Sequence, residues 1–208
     1  MCSHEKVVSD TVRETIFIRT MTSTSSKKNA SRPDERISFS SITTNNLGTV
    51  RVLNSTLFPI KYSEKFYKDI LSPDVEDFCK LVYLNDVPIG TICCRIETKD
   101  DENNLYLMTM GVLAPYRSRN IGSRTIQHIL DAAKVHKKPK ISNVYLHVQV
   151  SNADAKRFYE RHDFKEIGIA QEYYKKIEPR DAWILEHKVT EPESNETELQ
   201  DISPETAA

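Results

Sequence analysis

The sequence predicts an α/β domain with a mixed central sheet and helices on both faces. Three observations carry that prediction. Helix-like and strand-like periods alternate through most of the chain instead of segregating into blocks. The stretch Leu105 to Val112 is apolar on both faces, as a central buried strand is. From that strand the chain runs through a helical period at 121–136 to a second strand at 143–150, long enough for a right-handed parallel crossover.

Taken in order, residues 1–35 read as a weakly structured extension. The run TMTSTSSKKNAS (20–31) holds few large apolar groups and cannot bury enough surface to offset chain entropy. Val12 to Ile18 has the pattern of a short element without an evident partner, and Glu5, Asp10 and Glu14 sit where transit peptides avoid acids. The folded domain is expected over 36–189. Asn45 or Asn46 caps a helix carrying Leu47, Val50, Leu53 and Leu57, which Pro59 ends. FPIKY (58–62) is a turn, and Ser63 caps a second helix with Phe66, Ile70 and Leu71 on one face. Phe78 to Leu84 alternates as a strand, Asn85-Asp86 turns, and Val87 to Glu97 is the next strand. Lys99 to Asn104 reads as a polar turn before the central strand. Beyond the crossover, Asn152 caps a helix with Ala155, Phe158 and Tyr159 inward, and strands are expected at 163–170 and 182–188. Residues 190–208 form an acidic, polar tail, read as solvated.

Bulk properties exclude several classes. Net charge is −1, which gives no global pull toward nucleic acid or an anionic membrane. No apolar run approaches the ~20 residues that span a bilayer. The basic pairs Lys27-Lys28, Lys137-Lys138 and Lys175-Lys176 read as solvated surface, without the stripe of a nucleic-acid module. The four cysteines form no CxxC pair, and Cys93 and Cys94, adjacent on a strand, face opposite sides. This fits thiols as small core residues in a reducing compartment. The histidines show no metal-ligand spacing, so no metal is expected.

The chemistry concentrates after the central strand. Gly111 and Pro115 break regular structure, and Arg117-Ser118-Arg119-Asn120-Ile121-Gly122-Ser123 leads into a helix. A loop of free backbone donors opening a helix is a phosphate site, because the helix start adds partial positive charge. Arg117 and Arg119 stand where an anionic group is met.

Arg117 to Gly122 between strand and helix resembles the Gln/Arg-x-x-Gly-x-Gly/Ala acetyl-CoA motif of the GNAT acyltransferases. Within them, FPIKYSEKFYKD (58–69), CCR (93–95), LYLMTMGVLAPYR (105–117), NVYLHVQVSNADAKRFYE (143–160) and YYKKIEPRDAWIL (173–185) resemble the family of NatE catalytic subunits of protein N-terminal acetyltransferases. The likeness covers roughly residues 37–188. It implies the GNAT fold and transfer of acetyl from acetyl-CoA to the α-amine of N-terminal peptides of Met-apolar type, by direct attack in a ternary complex. Tyr106 and His147 are the implied catalytic pair. Met110 and Val112 on the strand, with Arg117, Ser118, Asn120, Ile121, Gly122 and Ser123 in the loop, are implied to hold the cofactor, and Asn152 and Tyr159 to face its thiol end. Phe58, Pro59, Ile60, Tyr62, Met108, Tyr173, Tyr174 and Ile177 are implied to surround the peptide N-terminus. Implied partners are nascent or mature protein N-termini and the large auxiliary and catalytic subunits of the NatA complex, with the ribosome reached indirectly. The implied compartment is the cytoplasm, with the nucleus a second.

One departure is chemically informative. The family's glycine at the fourth motif position is Asn120 here, and asparagine is the side chain that best tolerates the left-handed region. A catalytically weak or inactive GNAT-fold subunit bound to NatA is therefore the alternative, and retention of Tyr106, His147, Tyr62, Tyr173 and Tyr174 argues against it. A small-molecule amine acetyltransferase is the third reading; the paired tyrosines and the FPIKY loop suit an extended peptide better.

Overall fold

The computed structural model describes residues 35–99, 101–175 and 177–190. The expected extension at 1–35 (Glu35 apart), its element at Val12 to Ile18, the pair Lys27-Lys28 and the tail beyond Thr190 lie outside the described residues.

Ile37 and Phe39 alternate with serines and form β1 (Ile37–Ser41), an edge strand that the sequence pattern does not announce. Asn46 holds the N-cap position of α1 (Leu47–Leu57), but its side chain turns backward: Oδ1 accepts from the Thr43 N–H at 2.8 Å and Nδ2 donates to the Ser41 carbonyl at 2.9 Å. Ser63 caps α2 (Glu64–Asp69) by accepting from the Phe66 N–H. Pro73–Phe78 then winds into a 3₁₀ turn, so Phe78, expected to begin a strand, closes that turn, and β2 (Lys80–Leu84) starts two residues later. Pro73 in the first turn favours the helical start and has no N–H to lose.

The hairpin of β3 (Val87–Lys99) and β4 (Glu102–Val112) is longer than expected, pairing to Lys99↔Glu102 across the stretch whose polarity suggests a turn. Its polar tip needs no burial and is joined by a Thr98–Asn103 side-chain hydrogen bond of 2.8 Å. After it come α3 (Ile121–Val135), β5 (Asn143–Gln149), α4 (Ala153–Glu160), β6 (Lys165–Ala170) and β7 (Ala182–Lys188).

The sheet order is β1-β2-β3-β4-β5-β7-β6, and only β4 and β5 pair in parallel, joined by the α3 crossover. On one face α3 and α4 bury Ile126, Ile129, Leu130, Ala155 and Tyr159 against Leu105, Leu107, Val144 and Leu146. On the other, α1 and α2 bury Val50, Leu53, Leu57 and Phe66 against Cys93, Tyr106 and Met108. Cys93 and Cys94 thus serve opposite cores, as their adjacency on a strand predicts, with a bulge between them. The arrangement is the expected α/β one, a mixed sheet with helices packed on both faces. No helix among the described residues is long and apolar enough to cross a membrane.

Candidate active site

The site begins where two strands part. β4 and β5 pair only from Asn104↔Asn143 to Tyr106↔Tyr145. Past that register β4 continues against β3 as far as Val112, while β5 continues against β7 to Gln149. A wedge opens between them with Tyr106 at its vertex. The β4 backbone beyond the vertex becomes an internal sheet edge, able to pair with an extended polar chain.

The wide end of the wedge is a cleft of about 380 Å³. It brings together Met110, Val112, Arg117, Ser118, Asn120, Ile121, Gly122 and Ser123, every residue expected of the strand end and loop. Ile121, Gly122 and Ser123 form the first turn of α3, so their N–H groups have no partner within the helix. Asn120 is left-handed at φ 60°, ψ 11°, as its replacement of glycine predicts, and Ser118 is left-handed as well at φ 61°. Of the two arginines expected to meet an anionic group, Arg117 is in the cleft lining and Arg119 is not. Arg117 Nε donates to the Val112 carbonyl at 2.8 Å and braces the loop against the strand end. Arg119 pairs with Glu35 at 3.0 Å and lies outside the cleft lining.

Sequence reasoning missed three lining residues: Gly111, Phe158 and Arg161. Arg161, at the C-terminal end of α4, brings a guanidinium to the cleft from another element. No local period signals it, because only the tertiary fold brings α4 beside the loop. In the sequence Gly111 looks like a simple break; a side chain there would press within 3.0 Å of both Leu57 and Phe58, so it is where the cleft and the 58–62 turn share a wall.

Tyr159 and Asn152 stand behind this lining rather than in it. The Asn152 side chain accepts from the Ala155 N–H at 3.1 Å and so caps α4. Tyr159 is fully buried, stacks edge-on against Phe158 at 5.1 Å, and its hydroxyl finds no hydrogen-bond partner among the described residues. Burial, then the proximity of Cys94 and Tyr174, pushes its ionisation up. A buried hydroxyl without a partner is costly, and a polar ligand atom reaching it from the cleft would satisfy it.

At the vertex the expected catalytic residues meet. The Tyr106 and Tyr173 hydroxyls share a hydrogen bond of 2.5 Å. The His147 ring stacks on Tyr173, with centroids 4.0 Å apart and planes within 8°. Tyr106 meets His147 edge-on at 5.6 Å. Tyr174 packs edge-on against Tyr173 and donates a long hydrogen bond to the His147 carbonyl at 3.5 Å. Burial and the neighbouring Tyr173 hydroxyl push Tyr106 well above the usual tyrosine range, so it is a neutral hydroxyl near neutral pH.

Arg95 opposes that trend. Its guanidinium lies over the Tyr106 ring, 4.8 Å from the centroid, and pairs with Glu97 at 2.5 Å. Glu97 also accepts from the Tyr145 hydroxyl. This trio beneath the vertex was not among the expected site residues.

Of the residues expected around a peptide, Phe58, Tyr62 and Met108 are buried in the cluster that holds Tyr106, with Ile60 packed against it. Tyr62 stacks on Phe66 at 4.5 Å and meets Phe58 edge-on. Pro59 is exposed at the turn, and Ile177 packs beside Tyr173 and Tyr174. Both loops therefore reach the Tyr106 vertex, the first through the shared cluster and the second through Tyr173. The thiols play no part: burial pushes Cys79 up to about 12 and Cys94 well above its usual value. Among the described residues no cluster of histidine, cysteine and carboxylate side chains could hold a metal.

Comparison with known proteins agrees with this geometry. A model of the acetyltransferase (GNAT) family matches residues 48–164. N-alpha-acetyltransferase 50 of Danio rerio is 40% identical over 157 residues, covering 76% of this chain and 91% of the relative. A probable N-acetyltransferase, san, of Drosophila melanogaster is 37% identical over 161 residues, covering 76% and 85%. Among solved structures, Arabidopsis thaliana Naa50 in complex with the bisubstrate analogue CoA-Ac-MVNAL superposes with a TM-score of 0.66 at 39% identity, over 73% of this chain and 98% of that one.

Proposed function

Because the chain belongs to the acetyltransferase (GNAT) family, we propose that it is a protein N-terminal acetyltransferase, moving acetyl from acetyl-CoA to the α-amine of a peptide. The observation that carries this reading is the wedge: a backbone-lined cleft meets, at the Tyr106 vertex, an aromatic cluster fed by two loops. A relative 39% identical binds a single molecule joining CoA to an acetylated peptide beginning Met-Val, which supports two substrates sharing one site.

On this reading the first turn of α3 and Arg161 hold the phosphates, and the free edge of β4 near Met110 and Val112 pairs with the pantetheine arm and donates to the thioester carbonyl. The Tyr159 hydroxyl, held neutral by burial, faces the sulfur and donates a hydrogen bond to it as the thiolate departs. The acyl donor supplies an activated carbonyl, and attack is direct. An α-amine has a reference pKa of ~7.7–8.0, so only one weakly held proton must leave. Tyr106 is held neutral by burial and serves as an orienting hydroxyl bonded to Tyr173. His147, stacked on the same ring, takes the proton, through one water if the amine stands back. Proximity supplies much of the acceleration. Phe58, Pro59, Ile60, Tyr62, Met108 and Ile177 form the pocket for a first side chain, which suits an unbranched apolar one such as methionine. Tyr173 and Tyr174 bond the peptide backbone. By resemblance to the family, the reading extends to association with the NatA subunits, to the ribosome through them, and to the cytoplasm.

A second reading keeps the fold without the activity. It is favoured by one observation: two non-glycine residues, Ser118 and Asn120, hold left-handed conformations in the phosphate loop. Calorimetric titration with acetyl-CoA separates the two. Micromolar binding is expected; no heat at high micromolar ligand would leave only the scaffold reading.

A further inference from the structure

The far end of α3 carries a second hollow, unrelated to the wedge. It has a volume of about 400 Å³, and its walls include Lys134, Val135, His136, Lys137, Lys140 and Val189. α3 is 15 residues long, so this hollow lies about 22 Å from the phosphate loop at ~1.5 Å per residue. Among its basic side chains, Lys134 meets Asp131 at 3.7 Å and the His136 ring meets Asp77 at 3.3 Å. Lys134 in the last turn also suits the negative end of the helix dipole. That explanation stops there, because the dipole acts only within the last turn, while Lys137, Lys138 and Lys140 lie beyond the helix end and are exposed. Val135 is 67% exposed beside them. The hollow thus has lysines on its rim and one exposed apolar side chain, Val135, beside them.

The chain itself delivers a complementary segment to this place. β7 ends at Lys188, and the Val189 N–H donates to the Ser142 carbonyl at 2.9 Å, which fixes the departing chain on the wall of the hollow. The C-terminal segment, residues 191–208, holds six acidic side chains and no basic one, with Leu199 and Ile202 three residues apart. We propose that this acidic segment docks in the lysine-rimmed hollow of its own chain, its carboxylates on Lys137, Lys138 and Lys140 and its apolar pair over Val135. Glu193 lies four residues past Val189, a reach of about 13 Å at ~3.3 Å per residue, so the rim is within range from the first acids onward. Tethering at this distance acts as a local concentration on the order of millimolar, which lets individually weak surface pairs hold together. The docked segment covers the most basic patch at this end of the domain and competes with any external anion for it.

Zero-length carbodiimide cross-linking of the full chain at micromolar concentration, with peptide mapping of the monomer band, tests this. Links from Lys137, Lys138 or Lys140 to acids in 191–208 are expected. They should fall by about threefold or more at 0.5 M salt, where exposed charges are screened within ~4–5 Å. As a second readout on the full chain, changing all six acids to their amides should raise the acylation rate of Lys137 and Lys140 by an amine-reactive reagent several-fold, while Lys65 on α2 stays unchanged. Links spread evenly over other surface lysines, links found only between molecules, links insensitive to salt, or unaltered lysine reactivity in the amide variant would each overturn the proposal.

Discussion

At the scale of single residues, the proposed mechanism turns on Asn120, Tyr106 and His147. Asn120 occupies the left-handed region at φ 60°, which glycine reaches without steric cost. Asn120→Gly should therefore relax the loop and remove a side chain from beside the phosphates. Acetyl-CoA affinity is expected to rise by about two- to fivefold, the equivalent of less than ~1 kcal/mol. An unchanged or weaker affinity in a calorimetric titration would mean that the asparagine side chain itself contacts the ligand. Tyr106→Phe removes the hydroxyl shared with Tyr173 but keeps the ring under Arg95. Stability should change by no more than about 1 kcal/mol, while kcat falls roughly tenfold or more with little change in KM. His147→Phe preserves the stack on Tyr173 and removes the proposed proton acceptor, and steady-state kinetics should show a loss of kcat at least as large. If both variants keep full kcat, the proton leaves by another route.

At the scale of elements, the site is made by strands that separate. Much of this was legible in the sequence: the doubly apolar strand, the loop rich in donors and the long crossover predict a phosphate cleft at the start of α3, and the left-handed Asn120 follows from the resemblance, in which asparagine stands where the family's motif has glycine. The parts that escaped share a physical cause. β1 carries only Ile37 and Phe39 against serines, too little apolar alternation to register. The hairpin tip is polar because it projects from the sheet, and polarity there reads as a turn. Arg161 and the Arg95–Glu97–Tyr145 trio reach the site only through tertiary placement, which no local period encodes. Arg161 also yields a prediction at this scale. Arg161→Ala should weaken acetyl-CoA binding about three- to tenfold, with a smaller salt dependence and an unchanged kcat at saturation, because the contact is to a distal anionic group. A fall in kcat at saturating cofactor would place Arg161 nearer the reacting atoms.

At the scale of the whole molecule, two apolar layers clamp the sheet, and the polar groups they bury are mostly phenols and thiols. Tyr106, Tyr145, Tyr159 and Tyr174 have ionisations pushed up by burial first, and the buried thiols Cys79 and Cys94 likewise. The unfolded chain loses these protons from about pH 8.5–10 while the native chain keeps them. Above that range the native state binds more protons than the unfolded one, so stability falls as pH rises, by at most about 1.4 kcal/mol per unit for each group. Thermal unfolding should therefore show a midpoint insensitive to these groups through neutrality and dropping steeply above about pH 9–10; a flat profile to pH 11 would contradict the burial. The same packing holds the two loops against the Tyr106 vertex, so the fold presents an α-amine to a thioester in one fixed geometry. The most direct measurement is incubation with acetyl-CoA and two peptides that begin with methionine and share an internal lysine, one with a free amino terminus and one already acetylated, read by fragment-ion mass spectrometry. The account predicts one acetyl group on the free α-amine and a far slower reaction on the blocked peptide; no transfer to either, or equal transfer to lysine in both, would contradict it.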